Sequence, residues 1–221
     1  MVSNKNFYQS VVRFADTRHG QKVLGGVAIA IFVVAASIGG YYWHRSSVNG
    51  RAQEAFMDSV TEFEQALVGQ EGITWSDAER TFDAGARTFS NSLYAPYFDA
   101  FKADTSVYQG KQADATQAMR DALAKMSPSN PLYFLYSTKL ALVLIDSKEA
   151  SVHDEGLTSL KTLAENSLNS YRDMALYYLG LYGRATDDQE MVQRYWSKLV
   201  NEFGADSVWA AQVYQHSDFS A

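Results

Sequence analysis

The sequence predicts an all-α chain: one N-terminal transmembrane helix, then an α-solenoid of about four helical hairpins, closed by a capping helix. Three observations carry this reading. Residues 23–43 are 21 consecutive positions without a charge. Beyond them, stretches of about 14 to 19 residues with helical apolar spacing alternate with Gly, Asn and Ser clusters. Four of these stretches carry one repeated stripe at nearly constant intervals.

The leader, residues 1–22, holds Lys5, Arg13, Arg18 and Lys22 against the single acid Asp16. Phe7, Val11, Phe14 and Ala15 share one helical face, which suits a short helix on a membrane surface; an unstructured tail is the alternative. The span at 23–43 matches the roughly 20 apolar residues needed to cross a bilayer core. A cleaved signal would have a shorter apolar region of about 7 to 15 residues. The small residues Ala35, Ala36 and Ser37 keep processing as a second reading. The exit through Tyr41, Tyr42, Trp43 and Arg45 suits anchors at headgroup depth. Cations crowd the N-terminal flank, so the leader is expected in the cytoplasm and the domain at 44–221 in the periplasm, on a bacterial inner membrane. Gly26/Ala30 and Ala36/Gly40 are small-xxx-small pairs. They point either to packing against another membrane subunit or to composition alone.

Residues 46–221 hold 24 acids and 14 Lys plus Arg, a net of −10. Nucleic acid, which needs a concentrated basic surface, is disfavoured, and so is a domain lying flat on anionic lipid. There is no cysteine, so neither a disulfide nor a thiol metal site is expected. A domain of this length can bury one substantial core.

Segments such as Phe56, Val60, Phe63 and Leu67 read as helices, separated by "VGQEG", "SNS", "QGK", "SPSNP", "DSKEAS", "ENSLNS", "GRATDD" and "EFGADS". About nine helices are expected. Pro131 reads as a first-turn proline before "LYFLYSTKLALVLID". Every second helix carries a stripe at i, i+4, i+7: Ala78/Phe82/Gly85, Ala115/Met119/Ala122, Gly156/Leu160/Leu163 and Val192/Trp196/Leu199. Their starts lie 37, 41 and 36 residues apart. Such positions line one side of a helix, and the small member lets a neighbour come close. Constant offsets of this kind mark stacked hairpins, with "SVWAAQVYQ" as the cap.

These units resemble the tetratricopeptide repeat. The second is closest, with Gly110, Ala115, Met119, Ala122 and Pro128 in the expected order, and the fourth supplies Leu179-Gly180 and Trp196. Periods exceed the usual ~34 residues, and the third unit, with Gly156 and its "SKEASVHDEG" connection, departs most. With the leader, the Gly/Ala/Val-rich span, the exit "GGYYWHRS" and the helix opening "RAQEAFMDSV", the whole chain resembles one family. This is the single-pass, tetratricopeptide-like ancillary subunit of the bacterial Sec translocon. The resemblance implies partners among Sec translocon subunits or a second membrane-anchored periplasmic chaperone, and chaperone-like handling of exported polypeptides. It brings no catalytic residues and no cofactor. A membrane-tethered scaffold for an envelope-assembly or cell-wall complex is the alternative.

An enzyme is not expected. His19, His44, His153 and His216 are scattered, and no nucleophile-elbow, phosphate-loop or metal-ligand spacing occurs. Asp77/Glu79 and Asp187/Asp188/Glu190 fall at helix starts, where carboxylates cap free N–H groups and favour the positive end of the helix dipole. In tetratricopeptide folds the first helices line the concave face, and here they are rich in tyrosine. Tyr97, Tyr133 and Tyr177, one from each of three successive first helices, are the candidate polypeptide contacts. A tyrosine offers apolar area and a hydrogen bond at low entropic cost.

Overall fold

The computed structural model describes residues 45–215 and divides the chain into two compact units, residues 1–51 and 52–221. In the second unit the described residues are helical with no strand. Residues 45–67 form α1, which enters this unit at Ala52. Then follow α2 (Trp75–Thr88), α3 (Ala95–Tyr108), α4 (Gln112–Lys125), α5 (Tyr133–Ile145), α6 (Ala150–Glu165), α7 (Arg172–Ala185) and α8 (Gln189–Phe203). A 3-10 turn at Gly204–Asp206 leads into the short α9 (Val208–Val213). Helices adjacent in sequence pack on one another, most extensively α3 with α4, α5 with α6 and α7 with α8, and α9 packs on α7 and α8. This is the expected run of hairpins with a cap. The expected span at 23–43 lies outside the described residues, among which no helix is long and apolar enough to cross a membrane.

The turns inside the hairpins explain the punctuation. After α1, Gly69 N–H donates to Ala66 O and Gln70 N–H to Gln65 O. After α3, Gly110 and Lys111 bond in the same way to Val107 and Ser106. Both are Schellman closures, in which the residue past the cap turns left-handed at little cost because glycine has no Cβ. The α7 end repeats the bonding with Asp187 at φ 57°, a position glycine would occupy more cheaply. Between hairpins a second device recurs. Ser92, Asn130, Asn169 and Ser207 each accept at the side-chain oxygen from the backbone N–H two residues on. Each such turn starts a new first helix or the cap.

Helix starts follow local chemistry. Thr74 and Asp77 form a reciprocal capping box on α2, and Asp188 caps α8 through Met191 N–H. Pro131, expected in the first turn of α5, lies two residues ahead of that helix in a turn. The Asn130 side chain already holds the Leu132 N–H there, and the regular hydrogen bonding of α5 begins only at Tyr133. The proline that does sit in a first turn is Pro96, in α3.

All four predicted stripes are buried. They feed three successive core clusters, around Phe82/Phe98, Met119/Tyr136 and Leu176/Trp196. At the small residues the helices nearly touch. A Cβ added to Gly156 would sit 2.7 Å from Ala141 O and Ile145 N, both backbone atoms of α5. At Gly85 it would sit 2.1 Å from the Phe98 ring, and at Gly180 2.1 Å from Nε1 of Trp196. That indole donates to Tyr177 O at 3.1 Å. Among the described glycines, the one that meets neighbouring backbone most closely thus lies in the third unit, which departs most from the repeat pattern.

Gly156→Ala should destabilise the fold by about 2 kcal/mol, since only separation of α5 from α6 can relieve the clash. Gly50→Ala on the open side of α1 meets nothing within 4 Å and should be neutral or stabilising. Urea denaturation of both variants checks this, and equal effects would show that α5 and α6 have room to spare.

Candidate functional site

The first helices bring their aromatic residues together across hairpins. The Phe56 ring of α1 lies 5.3 Å from both Phe98 and Phe101 of α3, edge-on to each, and 5.8 Å from Tyr94. Phe63 meets Phe101 at 5.6 Å in the same manner. Tyr97 continues the series toward α5, its ring 6.2 Å from Tyr136. Edge-to-face pairs of this kind add about 0.5–1.5 kcal/mol each beyond their buried area.

The three candidate tyrosines divide between two surroundings. Tyr97 is half-buried, and its hydroxyl accepts from Asn130 Nδ2 at 3.0 Å. Tyr133 is half-buried and sits edge-on to Phe134 at 5.7 Å. Both pack against the cluster that contains Met119 and Tyr136. Tyr177 belongs to the next cluster and is 7% exposed. Its ring lies 5.2 Å from Trp209, 5.5 Å from Tyr178 and 6.2 Å from Trp196, nearly parallel to the last. The structure thus brings Tyr97 and Tyr133 together and turns Tyr177 into the core. On α7 the half-buried tyrosines are Tyr178 and Tyr182, and the Tyr182 hydroxyl lies 3.2 Å from His153 Nε2.

Tyr136, between Tyr97 and Tyr133, is 5% exposed. Burial pushes its phenol well above the usual range, and Asp104 with the neighbouring Tyr97 and Tyr171 hydroxyls adds to the shift. Lys139 bonds Asp104 at 2.6 Å and sits 5.7 Å from the Tyr136 ring. This ion pair joins first helix to first helix across 35 residues of sequence. Arg120 to Glu155, at 2.8 Å, joins second helix to second helix across the same 35. Sequence reasoning missed both, although opposite charges one repeat apart were there to find.

The carboxylates assigned to helix starts behave unequally. Asp77 and Asp188 cap, whereas Glu79 accepts from Gln109 and Lys111 across the hairpins, both at 2.8 Å. Glu79 also lines a cleft of about 290 Å³ with Asp99, Lys102, Asp114, Gln117 and Asp121. Asp99 is 7% exposed and meets Lys125 Nζ at 2.5 Å. Burial raises its carboxyl above the ordinary range despite the opposing bond and charge of Lys125.

Tyr41, Tyr42 and Trp43, expected as interface anchors, lie outside the described residues, as do Gly26, Ala30, Ala36 and Gly40. Arg45 is described, helical and exposed.

With the geometry in place, comparison with known proteins gives one result. Residues 17–175 match the family described as tetratricopeptide repeat-like domain. No curated protein and no solved structure matches the chain.

The raised Asp99 carboxyl has a consequence for stability. The native chain holds this proton more tightly than the unfolded chain does. Its contribution is therefore fully present below the unfolded value of about 3.9 and is lost as pH climbs through the raised folded value. Asp99→Asn removes that loss, so denaturant midpoints should vary less with pH across this acidic window than in the unaltered chain. Parallel curves for the two proteins would mean that Lys125 fully offsets the burial of Asp99.

Proposed function

Because the chain belongs to the tetratricopeptide repeat-like domain family, we propose that its repeat unit is a protein-interaction scaffold that binds exported polypeptides beside the Sec translocon. The observation that carries the binding part is the aromatic face of the first helices. There Tyr97 and Tyr133 flank Tyr136 on adjacent hairpins, half-buried and held by packing. Rings fixed in this way lose little freedom when a peptide covers them, and a bound extended chain can use both their faces and their hydroxyls.

The location rests on the sequence. Residues 23–43 serve as a permanent inner-membrane anchor with lipid contact through the span, and the repeat unit faces the periplasm. Tyr41, Tyr42, Trp43 and Arg45 hold the exit at headgroup depth. The pairs Gly26/Ala30 and Ala36/Gly40 pack against a translocon subunit or a second anchored chaperone. What supports this reading is the order of leader, span, aromatic exit and repeats. The acidic balance of the repeat unit agrees with it, because such a surface is kept off anionic headgroups.

Two experiments test the proposal. Protease added to spheroplasts should degrade the repeat unit; its survival in intact spheroplasts would overturn the topology. Crosslinking from residues 48–68 followed by purification in mild detergent should then recover translocon subunits. Cell-wall synthases recovered in their place would favour the envelope scaffold.

For the binding face, the double change Tyr97→Ser with Tyr133→Ser should leave helical circular dichroism intact and weaken suppression of client aggregation. Besides the Asn130 bond, worth about 1 kcal/mol, the change loses the packing of two half-buried rings, and a double variant that unfolds would show these tyrosines to be core. Tyr177→Ser should instead cost about 3 kcal/mol of stability, as truncation of a buried aromatic does. A folded double variant with undiminished suppression would place the binding face elsewhere.

A further inference from the structure

A different surface lies at the edge of the repeat unit, where α1 ends, α2 begins and α3 ends. Trp75 opens α2 and Tyr108 closes α3, and their rings stack 4.1 Å apart at an interplanar angle of 3°. Phe63 of α1 touches both edge-on, at 5.3 and 6.0 Å. One turn further along α1 stands Leu67, followed by Val68 at the Schellman turn, and Val107 precedes Tyr108. Gln109, directly after Tyr108, ties the end of α3 to the start of α2: its Nε2 donates to Glu79 Oε2 at 2.8 Å, and Ser76 Oγ donates to its Oε1 at 3.2 Å. The platform is therefore fixed before any partner arrives.

It is also open. Leu67 exposes 52% of its surface, Val68 78%, Val107 44% and Tyr108 53%. Isolated apolar side chains on a surface are ordinary, but Tyr108 is both half-exposed and locked in a rigid aromatic stack, and exposed Leu67 stands one turn beyond the Phe63 that touches it, which marks an interaction site.

Charge decides which partner fits. From Ala52 to Glu79 the chain holds seven acids and no Lys, Arg or His. Glu64 and Glu71, the acids flanking Leu67 and Val68, are exposed, and neither makes an ion pair among the described residues. The first cations in sequence past α1 and past Tyr108 are already engaged, Arg80 with Asp77 and Lys111 with Glu79. An anionic lipid surface is repelled by this rim. A second copy docking the same patch on itself would set the acids face to face.

We propose that the Trp75/Tyr108 platform docks a basic amphipathic segment of another polypeptide. Its apolar side chains cover Val68, Val107 and Tyr108, and its Lys or Arg residues meet Glu64 and Glu71 or lie over the rings. Tyr108 lies about three helical turns, roughly 16 Å, along α3 from Tyr97, joined to it by a run of rings through Phe56, Phe101 and Phe63; the proposal does not rest on the Tyr97/Tyr133 reading.

The test uses the full chain and a synthetic Leu/Lys amphipathic peptide of about 16 residues, roughly four helical turns, carrying one photoreactive phenylalanine. Crosslinks should map to residues 64–75 and 104–111, and affinity should fall with added salt. Tyr108→Ser should weaken binding about tenfold, as truncation of a central interface aromatic does. Val68→Ser, at a position too exposed to affect folding, should weaken it less, and Glu64→Gln with Glu71→Gln should flatten the salt dependence. The Tyr97→Ser/Tyr133→Ser chain should capture the peptide normally. The proposal is overturned if crosslinks map elsewhere, or if a Leu/Glu peptide of the same pattern binds equally well. It is overturned too if folded Val68→Ser and Tyr108→Ser chains bind unchanged, or if the patch proves to be covered by a second copy in sedimentation.

Discussion

Successive helices of the repeat unit pack as closely as they do because a residue at the crossing has almost no side chain. At Gly156 the neighbour is backbone, at Gly85 it is the Phe98 ring and at Gly180 the Trp196 indole. The second hairpin uses Ala100, Ala103, Ala115 and Ala122, each fully buried. The rest follows from these contacts. They set the depth at which Phe82, Met119, Leu160 and Trp196 insert, and so where one cluster ends and the next begins. They also limit sliding, because a hairpin seated on a glycine cannot shift along its neighbour without colliding with a Cβ. The ion pairs Lys139–Asp104 and Arg120–Glu155 reinforce the same register from outside the core. In a quasi-one-dimensional fold each repeat is stable only through such nearest-neighbour contacts.

Much of this was legible because it is periodic. The four stripes could be read from spacing alone, and every one is buried, since burial along a helix repeats on the same side at i, i+4 and i+7. Capping by Asp77 and Asp188 was legible as local chemistry at the helix starts, though Thr74, the reciprocal partner of Asp77, was not singled out. Helix phase was not. One residue turns a side chain by about 100°, enough to put Tyr177 in the core while its neighbour Tyr178 stays half-exposed. Partners distant in sequence were also hidden. Nothing local announces that Trp75 will meet Tyr108, or that Lys125 will reach Asp99. The Pro131 expectation failed for a related reason: a side-chain turn at Asn130 competed with the helix start and won.

The acids divide by position. In the middle of the unit four of them pair between helices: Asp83 with Lys102, Asp99 with Lys125, Asp104 with Lys139 and Glu155 with Arg120. Along α1 they stand without a cation from Ala52 onward. The first group stitches neighbouring helices, and its value depends on partial shielding from water; exposed single pairs contribute little. The second group leaves a negative field whose effect falls on approaching molecules.

That difference has a physical origin in where a solenoid stops. An internal hairpin is covered on both sides by its neighbours, so some of its surface charges pair across a seam, as Asp104 and Glu155 do. Among the described residues the first hairpin has a following neighbour only, and the other side of α1 is polar enough to stay solvated. Glu54, Asp58 and Glu64 of α1 meet that need, and Met57 between them is 56% exposed. At the other end α9 closes the last hairpin with Trp209, Ala210 and Val213 against the core, leaving Val208 and Tyr214 open. Among the described residues the two ends thus differ, one carrying acids and the other a short helix laid over the core. At the acid-carrying end, the stack of Trp75 on Tyr108 is an apolar platform in a negative field. An apolar partner that also carries positive charge gains there from both terms, and a neutral one gains only from burial.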